Sequence, residues 1–274
     1  MLSGTGRRWT VTLAAVIAAG LLAQTAAASV MLTDQNATAV FDLGSPAGLN
    51  SWTIDGTEQL KRQWFWYRVG PSGPEQSIDS LTLGASHTAD TNMDGSDDGL
   101  FVTYAGAGFQ IDLTFLLVGG SAGSRTSDLF ENIRITNTGG ATLDFHFFQY
   151  VDFDLGDDGS SDSTTILDGG TAYQTGGGLY LAETVVGPSP SRYQADFADT
   201  LLSALADASA SLLSNNAGPV TGDTAWAFQW DKELKSGESL IISKDKNLVP
   251  EPVTMALLGA GAVWLIALRR RGRG

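Results

Sequence analysis

Short apolar runs with a period of two, each closed by a cluster of glycine, asparagine, aspartate or serine, fill most of the chain. In LFENIRITNTGG, Ile133 and Ile135 alternate with Asn132, Arg134 and Thr136 before the chain reaches Asn137–Gly140. Such alternation puts apolar side chains on one face of a pleated strand, whereas a helix would need them three and four residues apart. Candidate strands are 37–43, 64–69, 99–104, 109–118, 129–137, 142–153, 178–183, 224–230 and 239–243. The Gly-containing loop after Asn137 predicts a hairpin between 129–137 and 142–153, and Lys235-Ser236-Gly237 predicts another between AWAFQWDKEL and ESLIISKD. One segment breaks the rhythm. From Ser191 to Asn215, Phe197, Leu201, Leu205, Ala208 and Leu212 stand at helical spacing, and Gly218 with Pro219 ends the pattern. With no βαβ rhythm and no fixed repeat, the expected fold is all-β, an antiparallel β-sandwich with one inserted amphipathic helix.

The two ends differ from the body. Arg7 and Arg8, an apolar stretch over 11–23, and Ala26-Ala27-Ala28 have the layout of a secretory signal peptide, expected over 1–28. Thr10 stands where a twin-arginine signal wants a bulky apolar residue, which favours the general secretory route. The body is expected over 29–248. It is long enough to bury most of its unfolded surface without cross-links, and the chain has no cysteine, which excludes thiolate catalysis and cysteine metal sites. Between leader and tail stand 10 basic and 29 acidic residues, a formal charge of −19. A body this acidic repels phosphate backbones, so nucleic acid is excluded as a partner, and divalent cations are attracted.

Four constellations can carry chemistry. In ADTNMDGSDDGLF, Asp90, Asn92 and Asp94 alternate, Gly95 follows, and Ser96 and Asp98 continue the series. These are candidate calcium ligands, resembling the first half of an EF-hand or dockerin-type loop, although its closing carboxylate is replaced by Phe101. The same residue types also make turns through side-chain bonds to backbone amides. A second acidic group, VDFDLGDDGSSDS, holds Asp152, Asp154, Asp157, Asp158 and Asp162, with Asp152 and Asp154 on one strand face and Phe153 on the other. Carboxylates this crowded favour a counter-ion or a solvated strand end. In KRQWFWYRVG, Trp64, Trp66 and Arg68 share one face and Phe65, Tyr67 and Val69 the other; this is sandwich core, or a platform for stacking on sugars. His146, between Asp144 and Phe148 on its face, reads as a hydrogen-bonded structural residue, and His87 has no partner in sequence. No GxSxG elbow is present, so no catalytic constellation is visible and the body is expected not to be an enzyme.

The tail is the most specific feature. Pro250 and Pro252 in VPEP force extended backbone, residues 253–268 are apolar or small, and Arg269, Arg270, Arg271 and Arg273 follow. The run is slightly short of the ~20 residues of a spanning helix, but Trp264 and the arginines, held in the cytoplasm, extend its reach, so a membrane helix that leaves VPEP outside is expected. In this order, Pro250-Glu251-Pro252, apolar helix and arginine cluster, the tail (249–274) strongly resembles the PEP-CTERM sorting signal. The resemblance implies an exosortase as partner, a membrane-embedded cysteine transpeptidase that removes the tail, besides signal peptidase and the secretion machinery. It implies an exported protein, held briefly at the inner membrane and then placed at the cell surface or outside. There the expectation is a structural or adhesive role in exopolysaccharide or biofilm, with calcium as the one candidate cofactor. The alternatives are a carbohydrate-binding module using Trp64 and Trp66, and a secreted polysaccharide hydrolase using Asp152 and Asp154.

Overall fold

The computed structural model describes residues 29–251, which form two nine-stranded sheets packed face to face. The leader, Pro252, the apolar run and the terminal arginines lie outside the described residues. Strands are numbered along the chain. The first sheet runs β1 (Ser29–Asp34), β2 (Ala37–Asp42), β3 (Gly48–Ile54), β5 (Leu60–Val69), β11 (Leu143–Phe153), β17 (Thr224–Leu234) and β15 (Arg192–Phe197), with β4 (Thr57–Glu58) beside β3 and β6 (Gln76–Ser77) beside β5. The second runs β16 (Val220–Thr221), β12 (Ser163–Leu167), β13 (Thr171–Gly176), β14 (Leu179–Gly187), β18 (Ser239–Pro250), β10 (Ser127–Asn137), β9 (Phe109–Gly119), β8 (Gly99–Gly106) and β7 (Thr82–Ala89). Pairing is antiparallel except for a short parallel contact of Gly48 and Leu49 with Gln63. Gly48 has φ +55°, and a Cβ there would overlap the Trp64 ring, so this crossing requires glycine.

Alternation is the physical basis of both sheets. Along β9 and β10 every second residue is buried, and interior-facing rings pack both within and between the sheets: Phe65 lies 6.4 Å from Phe115 of the second sheet and 5.4 Å from Phe147 of its own, and Phe153 stacks on Trp226 within the first sheet at 5.8 Å. The two expected hairpins are corrected here. Strand β10 pairs with β9 and β18 in the second sheet, while β11 pairs with β5 and β17 in the first. Residues 138–142 and 235–238 are therefore arches that cross between sheets. Both sheets offer an apolar inner face to the incoming strand, so a Gly-containing turn serves an arch as well as a hairpin. Asn137 ties the arches together. Its Nδ2 donates to Ala141 O and Leu234 O at 2.8 Å each, and its Oδ1 accepts from Gly139 N at 2.9 Å.

The inserted helix is real but shorter than expected. α1 spans Ala198–Ala206 and buries Leu201 and Leu205 against the outer face of the first sheet. Residues 192–197 instead pair with the open edge of β17, where ladder bonds outweigh a marginal helical turn. Beyond Ala206 the helix stops at Asp207, whose Oδ1 accepts from Ser209 N at 2.6 Å, and Leu212 is exposed. The segment 207–213 then lies over the same outer face, and 215–219 pass the open edge of β15 to reach β12, where Ile166 N donates to Ala217 O at 2.8 Å. Ala195 N donates to Asn216 O at 2.8 Å, and Leu213 N to Gln229 Oε1 at 3.1 Å.

Candidate functional site

The calcium-like loop closes on itself. Asp90 accepts from the amides of Met93 at 2.6 Å, Asp94 at 3.2 Å and Gly95 at 2.9 Å, which holds its pKa below the usual carboxylate range. Asn92 Oδ1 accepts from Asp94 N, and Asp94 Oδ1 from Ser96 N. Asp98 is buried and takes the amide and hydroxyl of Thr91 at 2.7 and 2.9 Å. Asp90 Oδ1 and Oδ2, Asn92 Oδ1 and Asp94 Oδ1 thus each accept a turn amide, so these bonds alone account for the loop's shape.

The other acidic group divides. Asp162 turns into the interior, accepting from Leu155 N at 3.0 Å and Gln174 Nε2 at 2.5 Å. Burial pushes its pKa up to about 6. A carboxyl raised in the fold holds its proton more tightly than in the unfolded chain. Its contribution to stability is full below the unfolded value and is lost as pH rises through about 6. Asp162→Asn is therefore expected to flatten the fall in urea midpoint between pH 4 and 7; an unchanged slope would show that Asp162 is not the group titrating.

Asp152 and Asp154 point outward at the end of β11, with Phe153 inward, as period two requires. A third acid joins them. Asp223 stands two residues before Ala225, which pairs directly with Asp152, so the short link between β16 and β17 delivers its carboxylate beside theirs. One carboxylate oxygen from each of Asp152, Asp154 and Asp223 lies within 4.8 Å of the others. Asp223 escaped sequence reasoning because it stands 69 positions beyond Asp154 and becomes a neighbour only through strand pairing.

The triad lies in a cleft of about 490 Å³ with Lys61, Arg62, Tyr150, Asp157, Asp158 and, from α1, Ala198, Asp199 and Leu202. A register shift opposite Asp152/Phe153 bulges β5 at Lys61, and Arg62 pairs with Asp152. Tyr150 donates its hydroxyl to Asp152 Oδ2 at 3.0 Å, while Asp152 Oδ1 is buried without a partner. Burial first, then the charges of Asp154 and Asp223, push Asp152 up to about 7 against the opposing Tyr150 bond and Lys61. Burial likewise raises Asp154. A Cβ at Gly159 would overlap Asp154 Oδ1, so any larger residue there would displace that carboxylate. A cleft so built can bond hydroxyl groups through both acids and bases, exchange a proton at Asp152, or hold a hard cation.

No protein-family model matches the chain. No curated protein matches it either. Among solved structures, a bacterial glucoamylase complexed with acarbose superposes with TM-score 0.55 at 9% identity, over 79% of this chain and 31% of that one. The Slr1438 protein of Synechocystis sp. PCC 6803 superposes with TM-score 0.53 at 9% identity, over 82% of this chain and 96% of that one. A galactose mutarotase-like protein from Lactobacillus casei gives 0.43 at 13% identity, over 81% and 100%. At 9% identity the likeness to the glucoamylase and to Slr1438 shows the sandwich fold alone. The expectation of a body that is not an enzyme is nonetheless corrected: its fold is one that a glucoamylase carries, and strand pairing assembles a titratable triad in a cleft that sequence order concealed.

The remaining candidates are placed as follows. Trp64 and Trp66 are 0% and 3% exposed, with Trp64 Nε1 bonded to Asp79 Oδ1 at 3.1 Å, so they are core and offer no surface for sugars. Arg68 is buried and paired with Glu75. Phe65 and Tyr67 face the sandwich interior, and Val69 is exposed. His146 Nδ1 bonds Asp231 Oδ1 at 2.6 Å, and His87 stacks on Phe101 at 4.9 Å. Pro250 is the last residue of β18, in register with Leu179, and Glu251 N donates to Gly178 O at 3.1 Å. No described helix is long and apolar enough to cross a membrane.

Proposed function

We propose that this is an exported protein, sorted at its tail by an exosortase and working at the cell surface or in extracellular polysaccharide, where the cleft beside α1 binds carbohydrate. The observation that carries the binding reading is the cleft itself. Asp154, Asp223, Lys61 and Arg62 stand around it with Leu202 on one wall, donors and acceptors beside an apolar patch, the combination that polyhydroxyl rings match. The fold shared with a glucoamylase that was crystallised with acarbose supports the same ligand class. A stacking role for Trp64 and Trp66 is replaced by this cleft, because both rings are covered.

For export and sorting, the support is the leader and the VPEP-helix-arginine tail. Since Pro250 is the last residue of β18, the sorting tripeptide begins at the end of an interior strand, and a processing enzyme would approach it there.

Binding of the purified protein to immobilised neutral and acidic polysaccharides tests the cleft. Leu202→Trp, which fills it from a half-exposed helix position, is expected to abolish retention with thermal stability unchanged. Equal retention by this variant would overturn the assignment of the site. For sorting, mass spectrometry of the protein from cells that carry an exosortase is expected to show the tail removed, and an intact tail on the exported protein would refute processing.

A further inference from the structure

Three carboxylates meeting on one surface would ordinarily be a solvated patch, but one of these is not solvated. Asp152, which lines the cleft, is 6% exposed, and its buried Oδ1 has no hydrogen-bond partner. An unmet buried carboxylate oxygen costs desolvation with nothing returned. Its neighbours make the cost larger, because Asp154 and Asp223 are acids too, and Asp157 and Asp158 stand on the rim. The nearby cations do not cancel this. Lys61 and Arg62 make no ion pair with any of the triad, although both line the cleft.

The geometry points to a calcium ion bound by Asp152, Asp154 and Asp223, with the unpartnered Asp152 Oδ1 as its innermost ligand. The donor set is all oxygen, which selects a hard cation and disfavours zinc or copper, for which nitrogen and sulfur donors are the usual ligands. Among the hard cations, calcium has the shell that asks least of ligand geometry. The three oxygens lie within 4.8 Å of one another. Ligands on opposite sides of calcium are separated by about 4.6–5.2 Å, so its shell accommodates any such spacing, whereas magnesium spans only about 4.0–4.2 Å and demands a near-ideal octahedron. Tyr150 fixes the inner ligand by bonding Asp152 Oδ2, and the absence of a side chain at Gly159 leaves room for Asp154. The site differs from the 90–98 loop in holding a buried carboxylate oxygen without a partner, whereas Asp90 and Asp98 of that loop have both their carboxylate oxygens bonded. It does not rest on the carbohydrate reading, because the ion is bound and read without any glycan.

Terbium luminescence in the full-length protein tests the proposal, with Tyr150 3.0 Å from the Asp152 carboxylate as sensitiser. Terbium added to metal-free protein is expected to luminesce on excitation of the aromatic residues, and calcium is expected to quench the signal far more effectively than magnesium. Asp223→Asn, on an exposed turn and free of fold-wide contacts, is expected to weaken calcium roughly tenfold or more, since even the residues that merely orient a metal ligand are worth that much. Asp90→Asn is expected to leave calcium binding unchanged. An absence of calcium-quenched luminescence, or a loss seen with Asp90→Asn and not with Asp223→Asn, would overturn the assignment. Should Asp223→Asn fail to fold, Asp154→Asn carries the same expectation.

Discussion

Glu183→Ala is expected to destabilise the protein by about 3–5 kcal/mol, the range for removing one partner of a buried charge pair. Glu131 and Glu183 face Lys244 and Lys246 between the sheets, and all four are fully buried. Lys244 Nζ donates to Glu131 at 2.6 Å and to Glu183 at 3.2 Å, while Lys246 pairs with Glu131 and, at 3.1 Å, with Glu183. The first sheet supplies the remaining donors: Gln63 to Glu131 at 2.8 Å, Gln149 to Glu183 at 2.8 Å and Trp226 Nε1 to Glu183 at 2.6 Å. The network therefore pins the two sheets in register as well as balancing charge. Alanine at 183 would leave one lysine uncompensated and two buried N–H groups unpaired. Urea unfolding followed by tryptophan fluorescence measures the loss, and a change below 1 kcal/mol would show that the interior is hydrated.

The same network fixes a pH dependence. Burial works to raise Glu183, but Lys246, Lys244 and the bonds from Gln149 and Trp226 prevail and lower it to about 2. A depressed carboxyl contributes stability that is complete above its unfolded value and is lost as pH falls through the folded one. Acid unfolding between about pH 4 and 2 is thus expected to be less steep in Glu183→Gln than in the wild type. Burial lowers Lys244, which also lies 5.2 Å over the Phe65 ring, whereas for Lys246 the pull of Glu131 and Glu183 exceeds burial and raises it.

The second large effect is expected at Arg68. Its guanidinium pairs with Glu75, donates to Ser211 O at 3.2 Å and lies 5.8 Å over the Phe148 ring. Glu75 accepts the Ser211 amide at 2.9 and 3.0 Å on its two oxygens. One buried ion pair thus clamps the 207–213 cover onto the sheet and holds α1 at the wall of the cleft. Arg68→Ala leaves Glu75 charged and buried, and is expected to cost about 3–5 kcal/mol. It should also release the cover: limited proteolysis is expected to cut within 207–214 well before global unfolding. Cleavage only on global unfolding would mean that the helix and Leu213 hold the cover without the ion pair.

Much of the fold was legible because period two is local. Ile133 and Ile135 assign β10 to a half-buried strand with no knowledge of its partners. Partner choice is not local, so the arches at Asn137 and Lys235 looked like hairpins. Strand β18 was cut short at Ser243 for a related reason. Lys244 and Lys246 occupy inward positions, and buried lysines become affordable only where Glu131 and Glu183 arrive from two other strands. The site followed the same divide. Asp152 and Asp154 announced a shared face, whereas Asp223, Lys61 and the wall of α1 joined them through pairing, a bulge and a clamp that no spacing encodes. Trp64 and Trp66 were ambiguous because a strand's sequence does not say whether its second face is covered; here the turn 78–80 packs on β5 and takes Trp64 Nε1 at Asp79, and Trp66 lies edge-on to Tyr150.

Hydrogen exchange with and without a retained polysaccharide tests carbohydrate binding most directly. Slower exchange is expected in 150–162, 198–206 and 221–225, the segments that build the cleft. Protection confined to the smaller cleft of about 360 Å³ between Tyr67, Pro74 and Phe109, or to no segment at all, would contradict it.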